Sequence, residues 1–267
     1  MFEEIKSFPP LPVSIAAIQE LCMMQDVNIR ALTKVIESDP MLSANILRSV
    51  NSPLYGMSKE VSSVHQAVML FGVSMIRGFA AANAIKKILP LDLSPYNITI
   101  EKLTETSALQ LALLREWYSI VDKQRLPSLL SSVFLMELGK LVVSQKVIKS
   151  GEKGAFFREI TAEKALSDIE KSYTGHESYE IASMMFEHWH FDPALVKTLR
   201  SIHNPIHGEN GEILNVISYA INIHDVLTET SLNNAYRAIE RFGLDRESFE
   251  KAVDVVQTNR EKIRDNQ

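Results

Sequence analysis

The chain has 267 residues, 46% hydrophobic and 23% charged, enough apolar material for one large core or two compact lobes and too much for a disordered polymer. Its formal charge of −5 argues against a broad phosphate-binding face, so nucleic acid is not an expected partner. The single cysteine, Cys22, excludes an intrachain disulfide and a cysteine-rich zinc site, and reads as a buried, inert thiol.

The opening stretch MFEEIKSFPPLP is acidic and broken by prolines, unlike a signal peptide. No uninterrupted apolar run approaches the roughly 20 residues of a membrane span. The expectation is a cytoplasmic protein without membrane insertion. Ile29, Leu32, Val35 and Ile36 recur at helical spacing and stop at Ser38-Asp39-Pro40, where Asp39 can cap a second helix and Pro40 can fill its first position. That helix carries Leu42, Ile46, Leu47 and Val50 on one face and ends before Pro53.

Ser63-Val64-His65-Gln66 fits a capping box, and Val64, Ala67, Val68 and Phe71 form the stripe that follows. Gly72 is the expected end and Ser74 the next cap; Gly78, Ala80, Ala81 and Ala82 then allow close helix contact. Leu89 to Pro95, bracketed by prolines, reads as a linker between lobes. Leu109 to Tyr118, Leu129 to Val143 and Ile181 to Trp189 read as helices, and Asp192-Pro193 repeats the cap-plus-proline device. Asp245 to Gln267 is charge-rich and is expected to be a solvated helix. Strand alternation and Asn-Gly turns are nearly absent, so the fold class is all-α.

Ordered blocks carry a family resemblance. Leu11-Pro12, Ser38-Asp39-Pro40-Met41-Leu42-Ser43-Ala44-Asn45-Ile46-Leu47-Arg48, Asn51-Ser52-Pro53-Leu54-Tyr55-Gly56 and Ser63 through Gly72 resemble, in order, hallmark segments of the HDOD family, bacterial signalling output domains related to HD phosphohydrolases. Phe134 to Leu141, Gly175-His176-Glu177, His188-Trp189 and Ile202-His203-Asn204-Pro205 continue that order, so the resemblance spans roughly residues 6 to 206. It implies an N-terminal helical lobe over about residues 1–92 packed on an HD-like helical lobe over about 96–206, with 207–267 as a helical extension. No stretch resembles a receiver or GGDEF-type domain, so input is expected from another molecule.

An HD enzyme gathers imidazoles and carboxylates around metal ions that activate water. On that pattern the resemblance puts Thr106 at a first histidine, Met136-Glu137 at the His-Asp pair, and His176 and His203 near the later histidines. A methionine thioether suits copper(I) rather than magnesium, manganese or iron(II), and Glu137 is one methylene longer than aspartate. The expectation is a vestigial pocket with no catalytic residues, no metal and no cofactor, in which Met136 packs the core and Glu137 is capped or solvated. His188 and His190 point apart on a helix, His203 and His207 flank a turn, and His65 and His224 read as helix-surface histidines. There is no G-x-S-x-G elbow and no glycine-rich phosphate loop.

The expected function is therefore a non-catalytic signalling output or adaptor domain that binds another signalling protein. Leu54, Tyr55 and Met57 are candidates for the partner surface, although packing into the seam between lobes is the commoner use of such residues. The alternatives are a phosphohydrolase or cyclic-dinucleotide phosphodiesterase with altered ligands, or a nucleotide sensor in the emptied pocket.

Overall fold

In a computed structural model, which describes residues 2–24, 26–53, 59–160 and 164–265, every regular element is helical. The chain begins with α1 (Phe2–Lys6), α2 (Val13–Met23), α3 (Ile29–Glu37), α4 (Pro40–Val50) and α5 (Val64–Ile88). The Asp39 carboxylate accepts the Leu42 N–H at 3.0 Å, and Pro40 occupies the first turn of α4, where no N–H is needed. Ser63 accepts the Gln66 N–H at 3.2 Å, but Gln66 reaches back to the N–H of Ser62, so the capping box closes one residue early. Gly72 breaks α5 at φ +77°, a conformation an L side chain resists. Helix resumes at once, which leaves Ser74 inside the second segment rather than at its cap.

The stretch after α5 is anchored along its length. Leu89, Leu93 and Tyr96 are buried, and the Ser144 hydroxyl donates to the Asp92 carbonyl at 2.6 Å. Then come α6 (Ile100–Val121), α7 (Leu126–Leu135), a 3-10 turn at Met136–Leu138 and α8 (Gly139–Lys149). Gly78 of α5 faces Phe134 and Ser131 of α7, where an added Cβ would lie 3.6 to 3.8 Å from them, an ordinary contact, so the helices meet closely without requiring glycine there. The edge-on pair Phe79–Phe134, 4.8 Å apart, extends that contact.

Next follow α9 (Lys153–Ile160), α10 (Leu166–Thr174), α11 (Ser178–His188) and α12 (Pro193–Arg200), the last capped by Asp192 through the Ala194 N–H at 2.8 Å. At Gly139 a Cβ would overlap the Ser178 carbonyl, so only glycine lets α8 begin against α11. Among the described residues the one β-type feature is an isolated antiparallel bridge, Ile221–Val226. By length and composition Val64–Ile88 and Leu126–Lys149 could each cross a membrane, although neither is an uninterrupted apolar run; 61% and 72% of their apolar windows are buried among other helices.

The chain closes with α13 (Asn210–Ala220), α14 (Glu229–Phe242) and α15 (Arg246–Asp265). The charged α15 is not simply solvated. Phe249, Ala252, Val253 and Val256 are buried, at the spacing of one helix face, while its charges occupy the other. Phe249 meets Trp117 of α6 edge-on at 4.9 Å, both fully buried. Phe249→Ala should lower the unfolding free energy by about 3–5 kcal/mol in a denaturant titration, as for other buried aromatics; a loss under about 1 kcal/mol would mean that α15 does not contribute to the core.

Candidate functional site

The 3-10 turn between α7 and α8 carries Glu137, and Lys140 follows three residues later, a spacing that brings both side chains to one face. Glu137 is neither capped nor solvated, contrary to the sequence expectation. It is fully buried, and the Lys140 Nζ lies 2.7 Å from its Oε2. Its Oε1 accepts the Gln110 Nε2–H at 2.7 Å and the Tyr179 hydroxyl at 3.4 Å. Gln110, also fully buried, spends its amide nitrogen on the Ile221 carbonyl as well, at 2.9 Å. Lys140 donates to the Ser178 hydroxyl at 3.1 Å and sits 4.7 Å from the centre of the Tyr179 ring.

A second buried carboxylate, Glu170 of α10, stands nearby. It accepts the Tyr96 hydroxyl at 2.8 Å and the Ser178 backbone N–H at 2.7 Å. Burial alone would lower the pKa of Lys140, but the charges of Glu137 and Glu170 and the bond to Glu137 outweigh it, and the group lies above the ordinary lysine range. Tyr96 and Tyr179 are pushed well up, first by burial and then by these carboxylates, so both hydroxyls stay protonated and act as donors. The cluster is thus two carboxylates held by one ammonium and a ring of neutral donors, the condition for charges to survive in a dry interior.

The five residues expected in the vestigial pocket separate. Met136 is fully buried as core. Thr106 is buried too, but its hydroxyl donates to the Lys102 carbonyl of its own helix at 2.9 Å; Gln110, one turn on, is the α6 residue that reaches Glu137. His176 is part-exposed and turned to Glu180, 3.0 Å away. His203 lies against the Glu177 carboxylate and tilts over Tyr179 at 5.2 Å, which links it to the cluster at one remove. Burial, with the Lys140 and Lys171 ammonium groups, pushes His203 down to about 4. The Asp168 and Glu137 carboxylates pull the other way without outweighing these, so the imidazole is neutral near pH 7. His224 is not on a helix but in the tight turn between Ile221 and Val226, and burial lowers its pKa. The expected partner residues Leu54, Tyr55 and Met57 lie outside the described residues. Cys22, expected to be buried, is only half-buried, and that burial still raises its thiol to about 11.

Lys140, Gln110, Glu170, Tyr96 and Tyr179 were not singled out by the sequence reading. Glu137 and Lys140 had a local signal in their i,i+3 spacing. Tyr96 and Glu170, 74 residues apart, had none. Among the described residues no three His, Cys, Asp or Glu side chains form a group that could hold a metal ion. The carboxylate at the HD-like position is already neutralised by a lysine, so this donor set does not fit a divalent cation.

The family model of the HDOD domain matches residues 8–205. Comparison with curated proteins finds no match. Among solved structures, a Marinobacter aquaeolei protein provisionally called a signal transduction protein is 22% identical, with 98% of this chain and 59% of that one covered at a TM-score of 0.72. A Shewanella amazonensis protein provisionally called a phosphohydrolase is 18% identical, with 96% and 92% covered at 0.69. A Geobacter sulfurreducens HDOD domain protein of unknown function is 16% identical, with 95% and 91% covered at 0.57. At these identities the likenesses establish the HD-like helical fold.

Lys140→Met strands a buried carboxylate and should cost about 3–5 kcal/mol by denaturant titration, whereas the double variant Lys140→Met/Glu137→Gln, which removes both charges, should recover most of that loss. Additive losses in the double-mutant cycle would mean that the two side chains do not form a pair.

Proposed function

Because the chain belongs to the HDOD family, we propose that it is a non-catalytic signal-transduction output domain that acts by binding another signalling protein. The observation that carries this reading is the Lys140 ammonium on Glu137: the carboxylate an HD enzyme would give to a metal is committed to an internal cation. Hydrolysis of a phosphoester on this fold requires a Lewis acid and an activated water, and neither has open ligands here. Gln110, Tyr179 and Ser178 each make a hydrogen bond to the same ion pair, which supports a cluster built to hold shape.

Protein binding asks only for an apolar patch with a polar rim. Met23, Met24, Met41, Met69 and Leu70 are all more than half exposed on or beside α2, α4 and α5. Flexible thioethers of this kind suit adaptable contacts. We place the partner surface on these N-terminal helices and the protein in the cytoplasm.

Protein purified without a metal-binding tag should carry well under one equivalent of iron, manganese or zinc. It should not turn over bis(p-nitrophenyl) phosphate, nucleotides or cyclic dinucleotides with any of these ions added. A partner recovered from native lysate should be lost with Met69→Glu/Leu70→Glu and kept with Glu137→Gln/Lys140→Met. Stoichiometric metal with turnover abolished by Glu137→Ala would overturn the reading.

A further inference from the structure

A separate cleft of about 980 Å³ lies where the last turns of α4 and α5 come together, and it shares no residue with the buried carboxylate cluster. Asn45 and Arg48 enter it from α4; Asn83, Lys86 and Lys87 enter it from α5. Thr104 of α6 closes one side, while Ala82, Ala108 and Phe134 give it an apolar floor. Among the described residues lining it, three cations thus face one carboxylate, Glu60, in a chain whose net charge is −5.

These cations are short of partners. Among the described residues Arg48, Lys86 and Lys87 make no ion pair within 4 Å, and Lys86 makes one hydrogen bond, to the Thr104 hydroxyl 3.3 Å away. Basic residues in the last turn of a helix complement its dipole, which accounts for their presence on α4 and α5 one helix at a time. It does not account for their meeting in one cavity. Lys86 is half-buried, and desolvation lowers its pKa despite the charge of Glu101. Such an ammonium gains stability from any anion that enters. The volume is at the upper end of the range for small-molecule sites, and the mixture of apolar floor and convergent donors is their usual make-up.

We propose that this cleft binds a small phosphate-bearing ligand of nucleotide size, with Arg48, Lys86 and Lys87 holding the phosphate and the floor at Ala82, Ala108 and Phe134 receiving the ring. The site stands apart from the reading of the carboxylate cluster: it requires no metal and no catalysis. Bound there, a ligand would touch α4, α5, α6 and α7 together.

The test is isothermal titration of the full chain with GMP, pyrophosphate and guanosine. GMP should bind saturably and guanosine at least about tenfold more weakly, since it lacks the charge-assisted bonds. Arg48→Gln and Lys87→Gln, both exposed side chains, should each weaken GMP by about tenfold while leaving the melting temperature of the free protein nearly unchanged. Glu60→Gln should tighten it. Pyrophosphate binding as tightly as GMP would keep the anion site but remove the ring from the assignment. The proposal fails if neither GMP nor pyrophosphate saturates at millimolar concentration, if guanosine matches GMP, or if neither charge variant changes the affinity.

Discussion

A carboxylate cannot stay charged in a dry interior without a counter-charge, and at Glu137 the chain supplies that charge from its own next turn. The requirement reaches outward. Glu137 must sit three residues from Lys140, so α7 gives way to a 3-10 turn where the two side chains converge. Lys140 must reach Ser178, so α8 starts against α11, and the residue at the crossing is Gly139 because the Ser178 carbonyl leaves no room for a Cβ. Gln110 ties the same carboxylate to α6 and to the Ile221 carbonyl, and Tyr96 and Ser178 hold the second carboxylate, Glu170. A few polar bonds thereby fix the register of helices that apolar packing alone would leave free to slide.

On the proposed non-catalytic reading, that internal cation is what sets this chain's chemistry apart from that of an HD hydrolase. A divalent ion in such a site binds the substrate, generates hydroxide and leaves room for both. An ammonium can neutralise a carboxylate but offers no open coordination position. On that reading this exchange withdraws the ligand on which hydrolysis would depend, and contact with other molecules falls to the exposed methionines and the basic cleft.

Much of the architecture was legible residue by residue. Asp39, Ser63 and Asp192 announce helix starts because a side-chain oxygen beside a helical stripe has one good use, and each accepts the backbone N–H expected of it. Gly72 signalled a break with a new helix to follow, but the helix resumes before Ser74, so the serine that looked like a cap lies inside it. The α15 face was present as Phe249, Ala252, Val253 and Val256 but was masked by its charged neighbours. The site was less legible. Of Thr106, Met136, Glu137, His176 and His203, placed together on a metal-binding pattern, only Glu137 joins the buried cluster and His203 stands beside it, because which side chains meet is decided by contacts such as Tyr96 to Glu170 that leave no local trace. Glu137 and Lys140 stood in plain view at i,i+3, yet the same spacing is commonplace on solvated helices, and only burial makes it decisive.

The most direct test is a crystal structure grown with manganese in excess, examined by anomalous scattering. With Lys140 serving as the cation, no manganese peak should appear on the Glu137 carboxylate, and the lysine nitrogen should remain within ion-pair distance of it. A coordinated manganese at Glu137, with Lys140 swung aside, would contradict the account.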